Sequence, residues 1–130
     1  MSTEKTESVL QIVRRDPRYG PQAYYFIFEA LDFTLQRLGK TRHVTGRELL
    51  EGIRLYACEH FGFLARTVLA EWGIRQTGDF GEVVFNLVEA GLLSRTEKDT
   101  REEFANVYDF EEAFEREFRR SLSKVTLSAS

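Results

Sequence analysis

The chain offers few side chains of the kind that carry out catalysis. It contains one Cys and two His among 130 residues. Cys58 and His60 lie on one predicted helix but two positions apart, so their side chains point to nearly opposite sides. That spacing predicts neither a nucleophile–base pair nor a pair of metal ligands, and a zinc site would need carboxylates that the sequence does not place beside them. We therefore predict no catalytic residue, no metal site and no cofactor, and a chain that is not an enzyme.

One short motif mimics a catalytic one. Asp79, Phe80 and Gly81 spell the triplet that holds a metal ion in protein kinases, but no glycine-rich loop or catalytic loop accompanies it, and the chain is too short for a kinase domain. We interpret the triplet as coincidence, with the glycine allowing close packing. An enzyme with an unrecognised site stays open as a third hypothesis for the function.

A concentration of positive charge lies in and around a predicted loop between two helices. It carries no intervening acid and stands beside the helix start at Thr45-Gly46, where backbone amides are available to an anion. We call these residues the basic loop and predict them as contacts for a phosphate, a sulfate or a nucleic acid: Arg37, Lys40, Arg42, His43 and Arg47. A solvated charged loop is the simpler explanation of the same residues.

A second predicted surface lies on the helix that ends at Leu38. Three large aromatic side chains, Tyr25, Phe26 and Phe33, stand among polar residues on the side opposite its apolar stripe. Aromatic side chains rimmed by polar groups are typical of interaction surfaces. We predict that these three contact a protein partner or a second copy of the chain. The alternative is that the first helix or the C-terminal Phe stripe folds over them.

The elements that must position these residues are mostly helices. Gly and Pro punctuation and capping patterns predict their ends, and an alternating pattern around a polar turn predicts two strands, Leu92–Glu97 and Glu102–Tyr108. The predicted fold class is mostly α (α+β), one domain over residues 1–130 with a small two-stranded antiparallel hairpin. Residues 1–6 and 126–130 are predicted to be disordered tails. The predicted helices are one ended by Asp16-Pro17, one from Pro21 to Leu38, one from Thr45 to Gly62, one over Phe63–Trp72, one from Thr77 to Gly91 and one that starts at Asp109 and carries the stripe Phe110, Phe114, Phe118 and Leu122.

The segment from Leu64 to Leu93 reads LARTVLAEWGIRQTGDFGEVVFNLVEAGLL. Together with the hairpin, residues 64–108 resemble a winged-helix domain, that is, a helix-turn-helix core followed by a wing. The resemblance implies a second helix that enters the major groove of DNA, braced by basic contacts to phosphate. Here that helix would present an acidic face, within about 80° of the helical wheel, that repels phosphate. We therefore expect specific DNA binding by this helix to be disfavoured by Asp79, Glu82, Asn86 and Glu89.

Three segments carry a second resemblance: IVRRDPRYGPQAYYFIFEAL at Ile12–Leu31, HVTGRELLEGIR at His43–Arg54 and EFANVYDFEEAF at Glu103–Phe114. They are similar to a family of short bacterial proteins of unknown function. This resemblance covers nearly the full chain and implies a single compact domain. It implies no activity, substrate or catalytic residue.

Composition limits the function classes further. The net charge of −3 gives no general attraction to nucleic acid or to anionic membranes. A single Cys excludes an internal disulfide and fits a reducing cytosol, and no apolar run predicts a signal peptide or a membrane span. We predict a cytoplasmic, non-enzymatic interaction module that binds a protein partner or forms a homodimer. The alternative is a nucleic-acid-associated, transcription-regulator-like protein that binds through the basic loop.

Overall fold

The structure, a computed structural model, describes residues 3–41, 43–94, 101–116, 119, 120 and 122. Within these ranges the chain forms five α-helices, two short 3₁₀ turns at Gly62–Leu64 and Arg101–Phe104, and a π-helical turn at Glu111–Arg116. The α-helices are α1 (Thr3–Arg15), α2 (Pro21–Leu38), α3 (Gly46–Phe61), α4 (Ala65–Glu71) and α5 (Thr77–Glu89).

Local signals account for the ends of the first three helices, which confirms the predicted helices. Helix α1 stops before Asp16-Pro17, since the residue before a proline avoids the α conformation. Helix α2 starts at Pro21 and ends at Gly39, which has a φ of 66° in the left-handed region. Helix α3 begins with a capping box between Thr45 and Glu48. These ends fix where the loop between α2 and α3 begins and stops.

Helices α2, α3 and α5 form the centre of the domain and supply most of its core. A Cβ atom added at Gly52 of α3 would lie 1.7 Å from the Thr34 hydroxyl oxygen of α2, so only glycine permits this close approach of the two helices. Helix α5 packs against both of them, and α1 covers α2 and α5. The largest fully buried side chains include Tyr24, Ile27, Leu50, Ile53, Phe80, Leu87 and Phe114.

The predicted α+β fold with a two-stranded hairpin is wrong, because the described residues form no strand. Within the predicted second strand, Phe104 ends the 3₁₀ turn Arg101–Phe104 and Asn106 has a left-handed φ of 52°. The amide of Val107 donates to the Thr77 hydroxyl at 3.0 Å, where a strand would have donated to its neighbour. The chain is a helical, bundle-like domain in the part that the structure describes.

Packing explains why this segment turns instead of extending. The 3₁₀ turn Arg101–Phe104 lies in a narrow slot between the start of α3 and the middle of α5, and both walls of the slot are glycines. A Cβ atom at Gly46 would lie 2.7 Å from a carboxylate oxygen of Glu103, and one at Gly81 would lie 2.8 Å from Cβ of Phe104. The alternating pattern of the sequence therefore reflects the burial of one ring, that of Phe104, and not the alternating faces of a strand.

Both ends of the chain are described only in part. Helix α1 begins at Thr3, so the described residues of the predicted tail 1–6 are helical, whereas 126–130 lie outside the described residues. Near the C-terminus, the Asp109 carboxylate accepts from the Glu112 amide at 3.1 Å, as expected of a helix start. Of the predicted Phe stripe, Phe110 and Phe114 are buried, Leu122 is exposed and Phe118 lies outside the described residues.

Candidate functional site

One side of α5 is closed by hydrogen bonds to the loop between α1 and α2. The Asn86 side-chain amide donates to the Asp16 carboxylate at 2.9 Å and to the Tyr24 hydroxyl at 3.1 Å. About two turns earlier on α5, the Tyr19 hydroxyl donates to the Asp79 carboxylate at 2.8 Å. We call this set the polar seam: Asp16, Arg18, Tyr19, Tyr24, Asp79, Glu82 and Asn86.

The Arg18 side chain pairs with two acids of the polar seam. The Arg18 guanidinium contacts both oxygens of Asp16, with Nε at 2.9 Å and Nη2 at 2.7 Å, and it lies 3.6 Å from Glu82. The hydrogen bonds from Arg18, followed by the one from Asn86, hold the pKa of Asp16 well below its usual range. Burial, together with the hydrogen bond to Asp79, raises the pKa of Tyr19 above its usual value.

The acidic face of α5 therefore has a structural partner. Asp79 also accepts from the amides of Arg75 and Gln76 and so caps the helix, and Glu82 is 3.8 Å from Arg101. Of the four residues that the sequence assigned to this face, only Glu89 is exposed. The three others meet the chain's own loop, a contact that the order of residues along α5 alone could not reveal.

The opposite side of α5 borders a cavity of about 440 Å³ that is open on one side, which we call the cleft. Its walls are the second half of α2, the start of α3 and the second half of α5, and Phe104 borders it as well. Most of the surface inside it is apolar. The side chains and backbone that line it come from Leu31, Leu35, His43, Val44, Thr45, Gly46, Leu49, Val84, Phe85, Val88, Leu93, Ser94 and Phe104.

Hydrogen bonds hold the start of α3 in position beside the cleft. The Thr45 hydroxyl accepts from the Glu48 amide at 3.1 Å, and the Glu48 carboxylate accepts from the Thr45 amide at 2.8 Å. The Gly46 amide donates to the Glu103 carboxylate at 3.1 Å, which ties the 3₁₀ turn to the helix. These contacts form within the chain itself, so the polar groups of this wall are satisfied without a ligand.

The basic loop lies next to the cleft, and part of its charge is paired. The Lys40 ammonium contacts both oxygens of Glu48, at 3.0 and 2.9 Å, and this bond lowers the pKa of Glu48. His43 is exposed and lines the cleft, and Arg37 and Arg47 are exposed on α2 and α3. Arg42 lies outside the described residues. Anion or nucleic-acid binding by this loop stays a prediction.

The three aromatic side chains predicted as a protein interface contact the chain itself to different degrees. Phe26 is only 3% exposed, and its ring centroid lies 5.6 Å from those of both Tyr56 and Trp72. Phe33 is half-buried with its centroid 5.3 Å from that of Tyr56, and Tyr25 is half-buried against the core. Among the described residues, Tyr56 of α3 and Trp72 lie over Phe26, and Tyr56 also lies over Phe33.

The residues considered for catalysis stay apart from one another. The Cys58 thiol lies 3.7 Å from the Ala113 carbonyl oxygen, and the ring of the exposed His60 packs at a tilt against that of Tyr56, with the centroids 4.2 Å apart. Within the described ranges, no three His, Cys, Asp or Glu side chains are grouped so that they could hold a metal ion. In the same ranges, no helix is both long enough and apolar enough to cross a membrane.

Comparison with known proteins adds no family to this geometry. The chain matches no protein-family model, no curated protein and no solved structure. The resemblance to a bacterial family therefore stays a prediction, as does the helix-turn-helix part of the winged-helix resemblance, whereas the described residues form no strand of a wing. The case for a function rests on the shape and chemistry of the cleft.

The cleft was missed from sequence for a clear reason. Leu31 and Leu35 of α2, like Val84 and Val88 of α5, are spaced four residues apart and so belong to apolar stripes that read as ordinary core. In the structure these four side chains are only half-buried, because they line the cleft. How fully an apolar stripe is buried depends on the packing of the whole domain, so the stripe alone does not predict a cleft.

Proposed function

We propose that this chain is a binding protein that holds a small, largely apolar molecule in the cleft between α2, α3 and α5. The observation that carries the proposal is the cleft itself, an apolar cavity of about 440 Å³ with one open side. Small-molecule sites are typically concave, apolar and about 300–1,000 Å³ in volume, with a few polar groups that orient the ligand.

The distribution of polar groups suggests the chemistry of the ligand. His43, Thr45 and Ser94 are the polar residues among those that line the cleft, and His43 and Ser94 are both exposed. The Thr45 hydroxyl already accepts a hydrogen bond in the capping box. A ligand that fits has an apolar body inside and a polar or anionic end toward His43 and the basic loop. A medium-chain carboxylic acid has this form.

Calorimetric titration of the full chain tests the proposal, with decanoate as an anionic probe and decanol as a neutral one. We expect both to bind with a Kd below about 1 mM, because each buries its chain against apolar walls. Absence of binding by both probes up to about 1 mM overturns the proposal.

A matched pair of variants assigns the binding to the cleft. Val88→Trp fills the cavity from α5 and is expected to weaken binding of both probes by at least about tenfold. Val68→Trp puts the same ring at another half-buried valine, on α4, which contributes nothing to the cleft. It is expected to leave the affinity unchanged. Equal losses in the two variants contradict the assignment.

Three predictions from the sequence are carried into this proposal unchanged. The chain is proposed to act as a non-enzymatic protein in the cytoplasm, and a protein partner or a homodimer stays part of the hypothesis. For the nucleic-acid alternative, pairing of Lys40 with Glu48 reduces the free positive charge of the basic loop. If the chain does not bind generic duplex DNA even at low salt, that alternative is excluded.

A further inference from the structure

A second surface, beyond the C-terminal end of α3, exposes an unusual amount of apolar side chain. Phe63 is 59% exposed, Leu64 50% and Leu122 49%. We call these three residues the Phe63 patch. Among the described residues, the other exposed large apolar side chains are Leu10 at 40% and Leu38 at 36%, each on a different helix. Clustered exposed apolar side chains mark interaction surfaces, whereas single ones are ordinary.

The Phe63 patch borders a shallow hollow of about 470 Å³, whose remaining lining residues are Thr67, Glu115 and Arg119. The patch thus presents exposed apolar side chains and a hollow side by side. A surface that must bind its own copy needs this combination, because in a two-fold interface each feature meets the complementary feature of the same patch.

The charges at the hollow are also self-complementary. The Arg66 guanidinium lies 3.3 Å from Oε1 of Glu115, and no described residue donates to the second oxygen, Oε2. Arg119 is exposed and forms no ion pair with any described residue. One copy therefore offers an acceptor and a cation at the same hollow, so two copies in opposite directions offer two equivalent pairs.

From these observations we propose that the Phe63 patch is the interface of a symmetric homodimer. In it, the Phe63 ring of each copy fills the hollow of the other, and Arg119 of each copy contacts Oε2 of the other copy's Glu115. The occupant is a second copy because a single patch carries both shapes and both charges. This interface is independent of the cleft, so it stands whether or not the cleft binds a ligand.

Sedimentation equilibrium of the full chain, from about 1 μM to about 1 mM, tests the interface. The wild-type chain is expected to reach twice the monomer mass within this range. Phe63→Asp is expected to weaken dimerisation by at least about tenfold, because it puts a charge into a desolvated centre. Leu10→Asp, the same change at an exposed leucine on α1, is expected to have no effect.

The charge pair has its own test. Arg119→Glu is expected to weaken dimerisation by about tenfold, since it opposes two carboxylates, whereas Arg119→Lys keeps most of the affinity. Circular dichroism verifies that each variant stays folded, as expected for substitutions of exposed side chains. A wild-type chain that stays monomeric at about 1 mM, or a Leu10→Asp variant as weak as Phe63→Asp, overturns the proposal. So does an Arg119→Glu variant that dimerises like the wild type.

Discussion

The two sides of helix α5 differ in whether their side chains already have partners within the chain. On one side, Asp79, Glu82 and Asn86 are polar, yet they are occupied by the loop between α1 and α2. On the other side, Val84 and Val88 are apolar, yet they stay half-exposed along the cleft. The residues that look functional by type are used for structure, and those that look structural by type border the only cavity that we propose as a ligand site.

The difference shows that surface left without a partner in the chain is a better guide to a binding site than residue type. In the polar seam, each carboxylate already has an arginine, a tyrosine, an asparagine or a backbone amide as its partner. Such groups have little left to offer to a ligand. The apolar walls of the cleft still face water in the free protein, and burial of that area stabilises any complex that covers it.

The largest expected effect comes from breaking the polar seam at its centre. Asn86→Ala leaves the buried Tyr24 hydroxyl and the Asp16 carboxylate without their shared donor, so we expect a loss of about 2–3 kcal/mol in the free energy of unfolding. Val88→Ala, two residues away on the cleft side, removes a half-buried side chain and is expected to lose less than about 1 kcal/mol. Urea denaturation measures both. Similar losses would remove the contrast between the two sides of α5.

A pH titration sharpens the same comparison. The pKa of Asp16 is lowered in the folded chain, chiefly by Arg18, so its carboxylate stabilises the fold at neutral pH. Asp16→Asn is expected to lose about 1.5–3 kcal/mol at pH 7, the range for hydrogen bonds to charged groups. The difference from wild type is expected to narrow as the pH falls below about 4, where the unfolded carboxyl protonates. A difference that stays constant between pH 7 and about pH 2.5 contradicts the assigned role of Arg18.

A smaller effect is expected where α5 meets the 3₁₀ turn. Alanine at Gly81 gains about 1 kcal/mol of helix propensity, but its Cβ would lie 2.8 Å from Phe104 Cβ, which is anchored close to the backbone. Overpacking outweighs the gain, and we expect Gly81→Ala to be destabilising by about 1–2 kcal/mol. Gly78→Ala, on the same helix with open space around it, is the control and is expected to be stabilising. Chemical denaturation measures the stability of both variants. A Gly81→Ala variant more stable than Gly78→Ala would contradict the close packing of Phe104 against Gly81.

The smallest effect is expected at the edge of the cleft. Lys40 and Glu48 form an exposed ion pair, and such pairs contribute little to stability. Lys40→Ala is expected to change the free energy of unfolding by less than about 0.5 kcal/mol, as measured by urea denaturation. A larger loss would indicate that the basic loop holds the start of α3 in place, and that the two sides of α5 are both closed by polar contacts.

Local signals in the sequence predicted much of the fold, and contacts between distant residues account for what was missed. Pro21, Gly39 and the Thr45–Glu48 capping box act within one turn of chain, so the bounds of α2 and α3 followed directly. Phe104 folds into a turn because Gly46 and Gly81 leave it a slot, and both lie far from it in sequence. The cleft and the contact between Tyr56 and Phe26 were not predicted for the same reason, since both depend on residues far apart in the sequence.

Chemical-shift mapping of the amide groups during titration with decanoate tests the proposed ligand site most directly. We expect the perturbations to concentrate at the cleft, on Leu49, Phe85 and Val88, and to leave Tyr19 and Glu82 of the polar seam unchanged. Perturbations centred on the polar seam or on the Phe63 patch, or none up to about 1 mM decanoate, would contradict the assignment of the cleft as the binding site.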